Sequence, residues 1–443
     1  MNGTTIEERY EQRTKKSKSL LEEAKKYIPH GVGSNLRKFD PHPFFVETAK
    51  GAKVTDADGN EYIDFSMNYG AQLVGHAHPA ITTAINKQAQ NGTLYTMPHK
   101  LSAEFAKEIV KRFPVDQVRF TNSGTETTMH AIRLARGYTD RDKLVMLEGG
   151  YHGAHDYVMG SFDSEESEAG IPNQTLESVL FGTFNNLESI KKLFDRHEGE
   201  IAAVIVEPVM MNRGIILPAN GFLQELRELC KAHGALLIFD EIKTGVKVEW
   251  GGACQYYGVE PDIVCLSKSI AGGLPLGAFG AKREIMSAIL NPDGVTHSGT
   301  FNSNPLCIIA GLITLRDILK KDVYEDIFRL SANLARGFQD IISKYNLVAH
   351  VVYIGPCGTL FFTDKPITDH NDFRDYITDK RNERVAKMFY LEMLNHGIIP
   401  HPVGFDEEWT ISIQHTDKDI ERYLEAFNDI APELAEVQKR GGK

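Results

Sequence analysis

Residues 262–282 read DIVCLSKSIAGGLPLGAFGAK. A short apolar run, Ile263 to Leu266, stops at Ser267-Lys268-Ser269, and Gly272, Gly273 and Gly277 follow. The run is too short for a helix and lacks strict alternation, so it reads as a strand covered on both faces. The same kind of segment recurs on either side. "QVRFTNSG" precedes the helix "TETTMHAIRLARGYT", and "KLVMLEGG" follows it. "IAAVIVEP" precedes the helix "NGFLQELRELCKAHG", and "ALLIFDE" and "GAFGAK" complete the series. Strands and helices thus alternate from about residue 100 to 320. That alternation predicts an α/β domain, with a mostly parallel central sheet and helices on both faces.

The pattern changes outside this region. "AKVTDADGNEYIDF" reads as a β-hairpin turning at Asp58-Gly59. "DADG" resembles the start of a calcium loop, but the later ligand positions are missing. Beyond residue 321, helices such as "DVYEDIFRLSANLARGFQDIISKY" mix with short strands such as "VAHVVYIG" and "EWTISIQHT", as in a smaller α+β domain. The expected organisation is residues 1–60 as a helix, arm and hairpin belonging to the small domain, 61–320 as the large α/β domain, and 321–443 as the rest of the small domain.

Composition narrows the classes. A net charge of -11 and a pI near 5.8 argue against a broad nucleic-acid surface. The five cysteines are scattered, with no metal-ligand spacing, and read as reduced residues of a cytoplasmic protein. The first 29 residues have no apolar signal core and read as a polar helix. No run of about 18 apolar residues predicts a membrane span.

In parallel α/β sheets, ligands bind beyond the carboxyl ends of the strands. Ser123, Gly124 and Thr125 stand at such a strand-to-helix turn. They suit a phosphate cradle, because a helix N-terminus offers free N–H groups and partial positive charge. An ordinary N-cap would use the same residues. Tyr151 and His152 lie between glycines, where an aromatic ring could stack on a flat cofactor. His152 and His155 are close, but a metal would need a third ligand, and none is suggested. His76 and His78 in "GHAHP" read as a turn feature. Asp240 ends an apolar strand and needs a partner there, whether a salt bridge, a helix cap or a protonated ring nitrogen. Glu207 ends "IAAVIVEP" in the same way.

Lys268 is the sharpest case. A lysine at a strand end in a partly dry site can form a Schiff base with a carbonyl, while the bland alternative is a lysine that snorkels to solvent. The small residues around it are expected to leave room for a ligand. Phosphate cradle, aromatic platform, aspartate and lysine occur in chain order on successive strand ends. Pyridoxal phosphate needs each of them: an anchored phosphate, a stacked ring, a protonated ring nitrogen and an amine for its aldehyde.

The chain resembles the class III pyridoxal-phosphate aminotransferases of fold type I, and within them the glutamate-1-semialdehyde aminomutase-like branch, which includes β-phenylalanine and D-phenylglycine aminotransferases. "RFTNSGTETTMHAIRLARGYTDRDKLVMLEGGYHG", "IVEPVMMNRGIILP", "LLIFDEIKTG", "CLSKSIAGGLPLGAFG" and "HSGTFNSNPL" carry the resemblance in order. It implies that Lys268 is the Schiff-base lysine and that Asp240 partners the pyridine nitrogen. Ile242 and Tyr151 would cover the two ring faces, and Ser123, Gly124 and Thr125 would hold the phosphate. His152, Glu207 and Asn212 would lie with the cofactor. Thr300 would reach the phosphate of a neighbouring subunit, which implies a homodimer with sites at the interface. Arg37 in "GVGSNLRKF" is similar to an arginine that grips the substrate carboxylate, and Glu407 to a glutamate of the aminomutase.

Some stretches depart from the aminomutase pattern. "FSMNYGAQLV", with Met67 to Gly70, is closer to the aminotransferase relatives, and Lys247 in "DEIKTGVK" replaces an arginine. "SEESEAGIPNQT" differs from the aminomutase's gating loop. The resemblance therefore implies ping-pong transfer of an amino group between a carboxylate-bearing amine and a keto acid. Intramolecular amino transfer and racemisation are the alternatives.

Overall fold

The computed structural model describes residues 5–160, 168–290, 294–404 and 407–440. The "SEESEAGIPNQT" stretch lies partly outside the described residues. The chain divides into two compact units. One comprises Met1–His78, Glu325–Pro366 and Arg374–Lys443, and the other Pro79–Tyr324 with Ile367–Phe373.

The second unit is built on a seven-stranded sheet. In chain order its strands are β1 (Gln117–Thr121), β2 (Lys143–Leu147), β3 (Val179–Gly182), β4 (Ile201–Val206), β5 (Leu236–Asp240), β6 (Ile263–Leu266) and β7 (Gly277–Ala281). Their spatial order is β1-β7-β6-β5-β4-β2-β3. Only β7 runs antiparallel to its neighbours. Every residue of β4, β5, β6 and β7 is buried, which explains why these runs do not alternate. The edge strand β3 was not expected from the sequence. The helix Gly124–Thr139 buries Ala131, Ile132, Leu134 and Ala135 in the core around the sheet. Each large apolar side chain buried this way contributes roughly 1.5–3 kcal/mol.

In the first unit, Lys53–Asp56 and Glu61–Asp64 form the expected hairpin, with Val54 opposite Tyr62. The Asp56 carboxylate accepts from the N–H groups of Asp58 and Asn60, so it closes the turn on the chain's own backbone. Helices Lys380–Asn395 and Asp417–Arg440 pack together, with Phe389 and Phe427 at 5.8 Å. A short sheet joins His350–Ile354, Cys357–Phe361 and Trp409–Thr410. The strand expected in "EWTISIQHT" is only two residues long. Beyond it the Ser412 N–H donates to His415 Nδ1 at 3.0 Å, a local bond that replaces the ladder. Among the described residues no helix is long and apolar enough to cross a membrane.

Candidate active site

Adjacent parallel strands set the spacing of the site. Val206 pairs with Phe239, so Glu207 and Asp240 fall on the next rung. Asp240 in turn pairs with Cys265, and Lys268 follows three residues later. Three ionisable side chains thus leave β4, β5 and β6 at one edge of the sheet. Two neighbouring turns complete the set: residues 122–125 after β1, and 148–152 after β2.

Asp240 is buried, and its partner is His152. Nδ1 of that imidazole lies 2.8 Å from Oδ2, and the His152 side chain is fully buried. The other carboxylate oxygen accepts the Ile242 N–H at 3.1 Å. An ionised carboxylate has about four lone-pair sites, so Asp240 retains capacity for another donor such as a protonated ring nitrogen. Glu207 is equally enclosed. Its Oε1 accepts the Tyr151 N–H at 3.0 Å, and its Oε2 accepts Met211 N–H and Asn212 Nδ2 at 3.2 and 2.7 Å. Burial pushes the Glu207 carboxyl above its ordinary pKa.

Ser123 caps the helix Gly124–Thr139, its Oγ accepting from Glu126 N–H at 3.1 Å. The first N–H groups of the helix, at Gly124 and Thr125, have no intrahelical acceptor. Gly124 is needed for closeness: a Cβ there would stand 2.9 Å from Ile242 Cδ1. The 122–125 turn, Ile242 and Asp240 are therefore contiguous. Thr125 Oγ1 accepts from Ala154 N–H at 3.1 Å, which ties this turn to the 148–154 turn.

Lys268 is half-buried and adopts φ 45°, a left-handed backbone that non-glycine residues rarely use. Such outliers concentrate at functional sites. The expectation that the surrounding glycines leave room for a ligand needs correcting at two positions. A Cβ on Gly272 would stand 2.5 Å from Ile81 Cδ1, and one on Gly277 would stand 2.2 Å from Thr127 Oγ1. These glycines let the chain pack against itself.

Thr300 is exposed. Its turn is tied to the 122–125 turn by Asn122, whose Nδ2 donates to Asn302 Oδ1 at 2.9 Å. Sequence reasoning missed Asn122 and Asn302. It also missed Lys243, a buried lysine whose Nζ donates to the Met211 carbonyl at 2.9 Å and braces the loop that carries Asn212. No local signal marks any of these contacts. Arg37 and Glu407 belong to the first unit. Arg37 ends a single helical turn, Asn35–Arg37. It is exposed, and its guanidinium has no hydrogen-bond or ion-pair partner among the described residues. Glu407 is half-buried, and its carbonyl accepts from Thr359 Oγ1 at 3.3 Å.

The arrangement in the second unit fits pyridoxal phosphate: a helix N-terminus for the phosphate, a buried braced carboxylate for the ring nitrogen and a lysine at the adjacent strand end. Comparison with known proteins agrees. Residues 36–430 match the family Aminotransferase class-III, and the chain belongs to that family of pyridoxal-phosphate enzymes. Within it, the chain is 40% identical to the glutamate-1-semialdehyde 2,1-aminomutase of Methanocaldococcus jannaschii over 94% of this chain and 97% of that one. It also superposes on an omega-transaminase from Sphaerobacter thermophilus with TM-score 0.89 and 30% identity, covering 95% of this chain and 98% of that one. A β-phenylalanine aminotransferase from Variovorax paradoxus gives TM-score 0.86 and 29% identity, with 96% and 95% covered.

Proposed function

We propose that this enzyme is an aminotransferase that moves an amino group from a carboxylate-bearing amine, such as a β-amino or D-α-amino acid, to a keto acid. One observation carries the reading: a buried carboxylate braced by His152 and a lysine in left-handed conformation stand at neighbouring strand ends. Pyridoxal phosphate, when bound, supplies the electron sink that makes a substrate Cα proton removable. Asp240 holds the proton on the ring nitrogen, and His152 keeps Asp240 oriented. The N–H groups of Gly124 and Thr125 and the Ser123 hydroxyl bind the phosphate. Ile242 and Tyr151 enclose the ring, with Glu207 and Asn212 beside it. Lys268 would hold the cofactor through its amine, and its Nζ, once free, would act as the base that moves the proton at the substrate Cα. Donor and acceptor use the same site in turn, which predicts ping-pong kinetics.

Arg37 takes the substrate carboxylate through its paired guanidinium N–H groups, with Glu407 as a second substrate contact. Thr300 serves the phosphate of a second copy of the chain. The exposed apolar side chains Leu94, Tyr95, Met97 and Phe301 support a homodimer, since Asn304 Nδ2 bonds the Thr93 carbonyl at 3.0 Å and holds the two stretches together.

The identity to curated aminomutases favours a second reading, intramolecular amino transfer. The test gives the pyridoxamine form of the enzyme glutamate 1-semialdehyde alone, and separately screens amino donors against pyruvate and 2-oxoglutarate. The aminotransferase reading expects turnover only with a donor and keto acid together. Turnover of the semialdehyde without any keto acid would replace it with the mutase.

A further inference from the structure

Four consecutive residues of the first unit have left-handed backbone: Met67 (φ 42°), Asn68 (φ 53°), Tyr69 (φ 58°) and Gly70 (φ 72°). L-residues visit this region singly as a rule, because Cβ crowds the following carbonyl. Here the conformation is held from several sides. Asp64 Oδ1 accepts the N–H groups of Ser66 and Met67 at 2.8 and 3.1 Å, and Ser66 Oγ accepts Asn68 N–H at 3.2 Å. Oδ2 of the same aspartate takes His76 Nε2 at 2.7 Å. The Met67 side chain is fully buried. A strained turn this firmly determined fixes the direction of what it carries.

It carries Tyr69. The phenolic hydroxyl donates to the Leu36 carbonyl, 33 residues earlier and next to Arg37. Among the described residues, the other hydrogen bonds of residues 34–38 are local, Arg37 N–H to Ser34 O at 3.0 Å and Lys38 N–H to Asn35 O at 3.1 Å. Among the described residues, the Tyr69 hydroxyl makes the one hydrogen bond that ties this exposed segment to another part of the chain.

We propose that Tyr69 is a positioning residue. Through the Leu36 carbonyl it fixes the backbone from which Arg37 projects, and so sets affinity for the substrate carboxylate. The inference rests on the reading of Arg37 given above. It separates binding from chemistry: Tyr69→Phe removes the hydroxyl but keeps the ring and the turn.

The experiment compares β-phenylalanine with 1-phenylethylamine, the same amine without its carboxylate. Both are used as donors to pyruvate, kept at a concentration that saturates each protein, for the wild-type holoenzyme, Tyr69→Phe, Arg37→Ala and the double variant. Tyr69→Phe is expected to raise KM for β-phenylalanine about fivefold, the scale of one hydrogen bond, with kcat unchanged within about twofold. Its KM for 1-phenylethylamine and its bound-cofactor absorbance should not move. In the Arg37→Ala background the substitution should add nothing. An equal KM rise for both donors, a fall in kcat alone, or an effect that survives Arg37→Ala overturns the proposal. If Arg37→Ala raises KM for the acid and Tyr69→Phe does not, Tyr69 fails while the reading of Arg37 stands. If Arg37→Ala is silent, or the wild type shows no preference for the acid-bearing amine, both fail.

Discussion

His152 Nδ1 lies 2.8 Å from Asp240 Oδ2, with both side chains shut away from solvent. The pair joins the turn after β2 to the end of β5, 88 residues apart. A carboxylate in so dry a place is costly without a donor. The histidine supplies one and fixes the rotamer.

The two members of this pair should therefore fail to different degrees. On the proposed reading, Asp240→Asn removes the charge that would keep a proton on the ring nitrogen, and kcat should fall roughly 10²–10³-fold. His152→Gln leaves the charge and loosens its orientation, for a loss of about tenfold. Steady-state kinetics at saturating pyridoxal phosphate would measure both. A His152 variant as impaired as the Asp240 variant would mean that the histidine does more than orient.

Lys268 makes two separable predictions. Without its amine, turnover should fall by about 10³-fold or more, and borohydride should no longer fix the cofactor to the chain. The left-handed backbone at this residue gives the second. Alanine keeps the Cβ and its strain, whereas glycine adopts positive φ freely. Cofactor-free Lys268→Gly should therefore melt at or above Lys268→Ala, although glycine ordinarily costs stability. Calorimetry of the two apo proteins decides it, and the reverse order would refute the backbone argument.

How much of this was readable beforehand depends on distance along the chain. Asp240 and Lys268 announce themselves because a charged residue ends an apolar run, a local signal. The hairpin at Asp58-Gly59 is legible for the same reason. What the sequence could not show are bonds between remote residues, such as His152 with Asp240 or Asn122 with Asn302, the latter 180 positions apart. In Met-Asn-Tyr only Asn68 tolerates a left-handed backbone well, and the run at Met67 and Tyr69 is imposed by the bonds to Asp64 and by burial of Met67. The glycines show the opposite hazard. Their presence was legible, but whether Gly277 faces a ligand or Thr127 is a fact of packing.

That packing gives a stability prediction. A methyl group on Gly277 would stand 2.2 Å from Thr127 Oγ1, 2.5 Å from Thr121 Oγ1 and 2.8 Å from the Ser123 carbonyl. β7 would have to move away from the turn that begins the helix Gly124–Thr139. Gly277→Ala should cost about 1–3 kcal/mol, as overpacking does, and weaken cofactor binding as well. Gly33→Ala, where a Cβ meets nothing within 4 Å, serves as the control. Urea denaturation of both variants tests the difference. Equal midpoints would show that β7 accommodates the methyl.

His415 predicts how the protein responds to acid. Its ring is buried, tilted against Phe65 at 4.6 Å, and its Nδ1 accepts the Ser412 N–H at 3.0 Å. Nδ1 is therefore the unprotonated nitrogen, and adding a proton would set two donors face to face. Burial lowers the imidazole pKa well below its ordinary 6.5, although Asp419 and Asp64 pull it upward. In the unfolded chain the same group titrates normally. As pH falls below about 6.5 the unfolded state takes up the proton first, so the contribution is intact above that pH and is lost as pH falls through the window beneath it. One such group can add a slope of at most about 1.4 kcal/mol per pH unit. His415→Asn keeps an acceptor for Ser412 but cannot titrate. Urea midpoints between pH 7 and 5 should fall less steeply for this variant than for the wild type, whatever its absolute stability. Parallel slopes would assign the acid sensitivity to other groups.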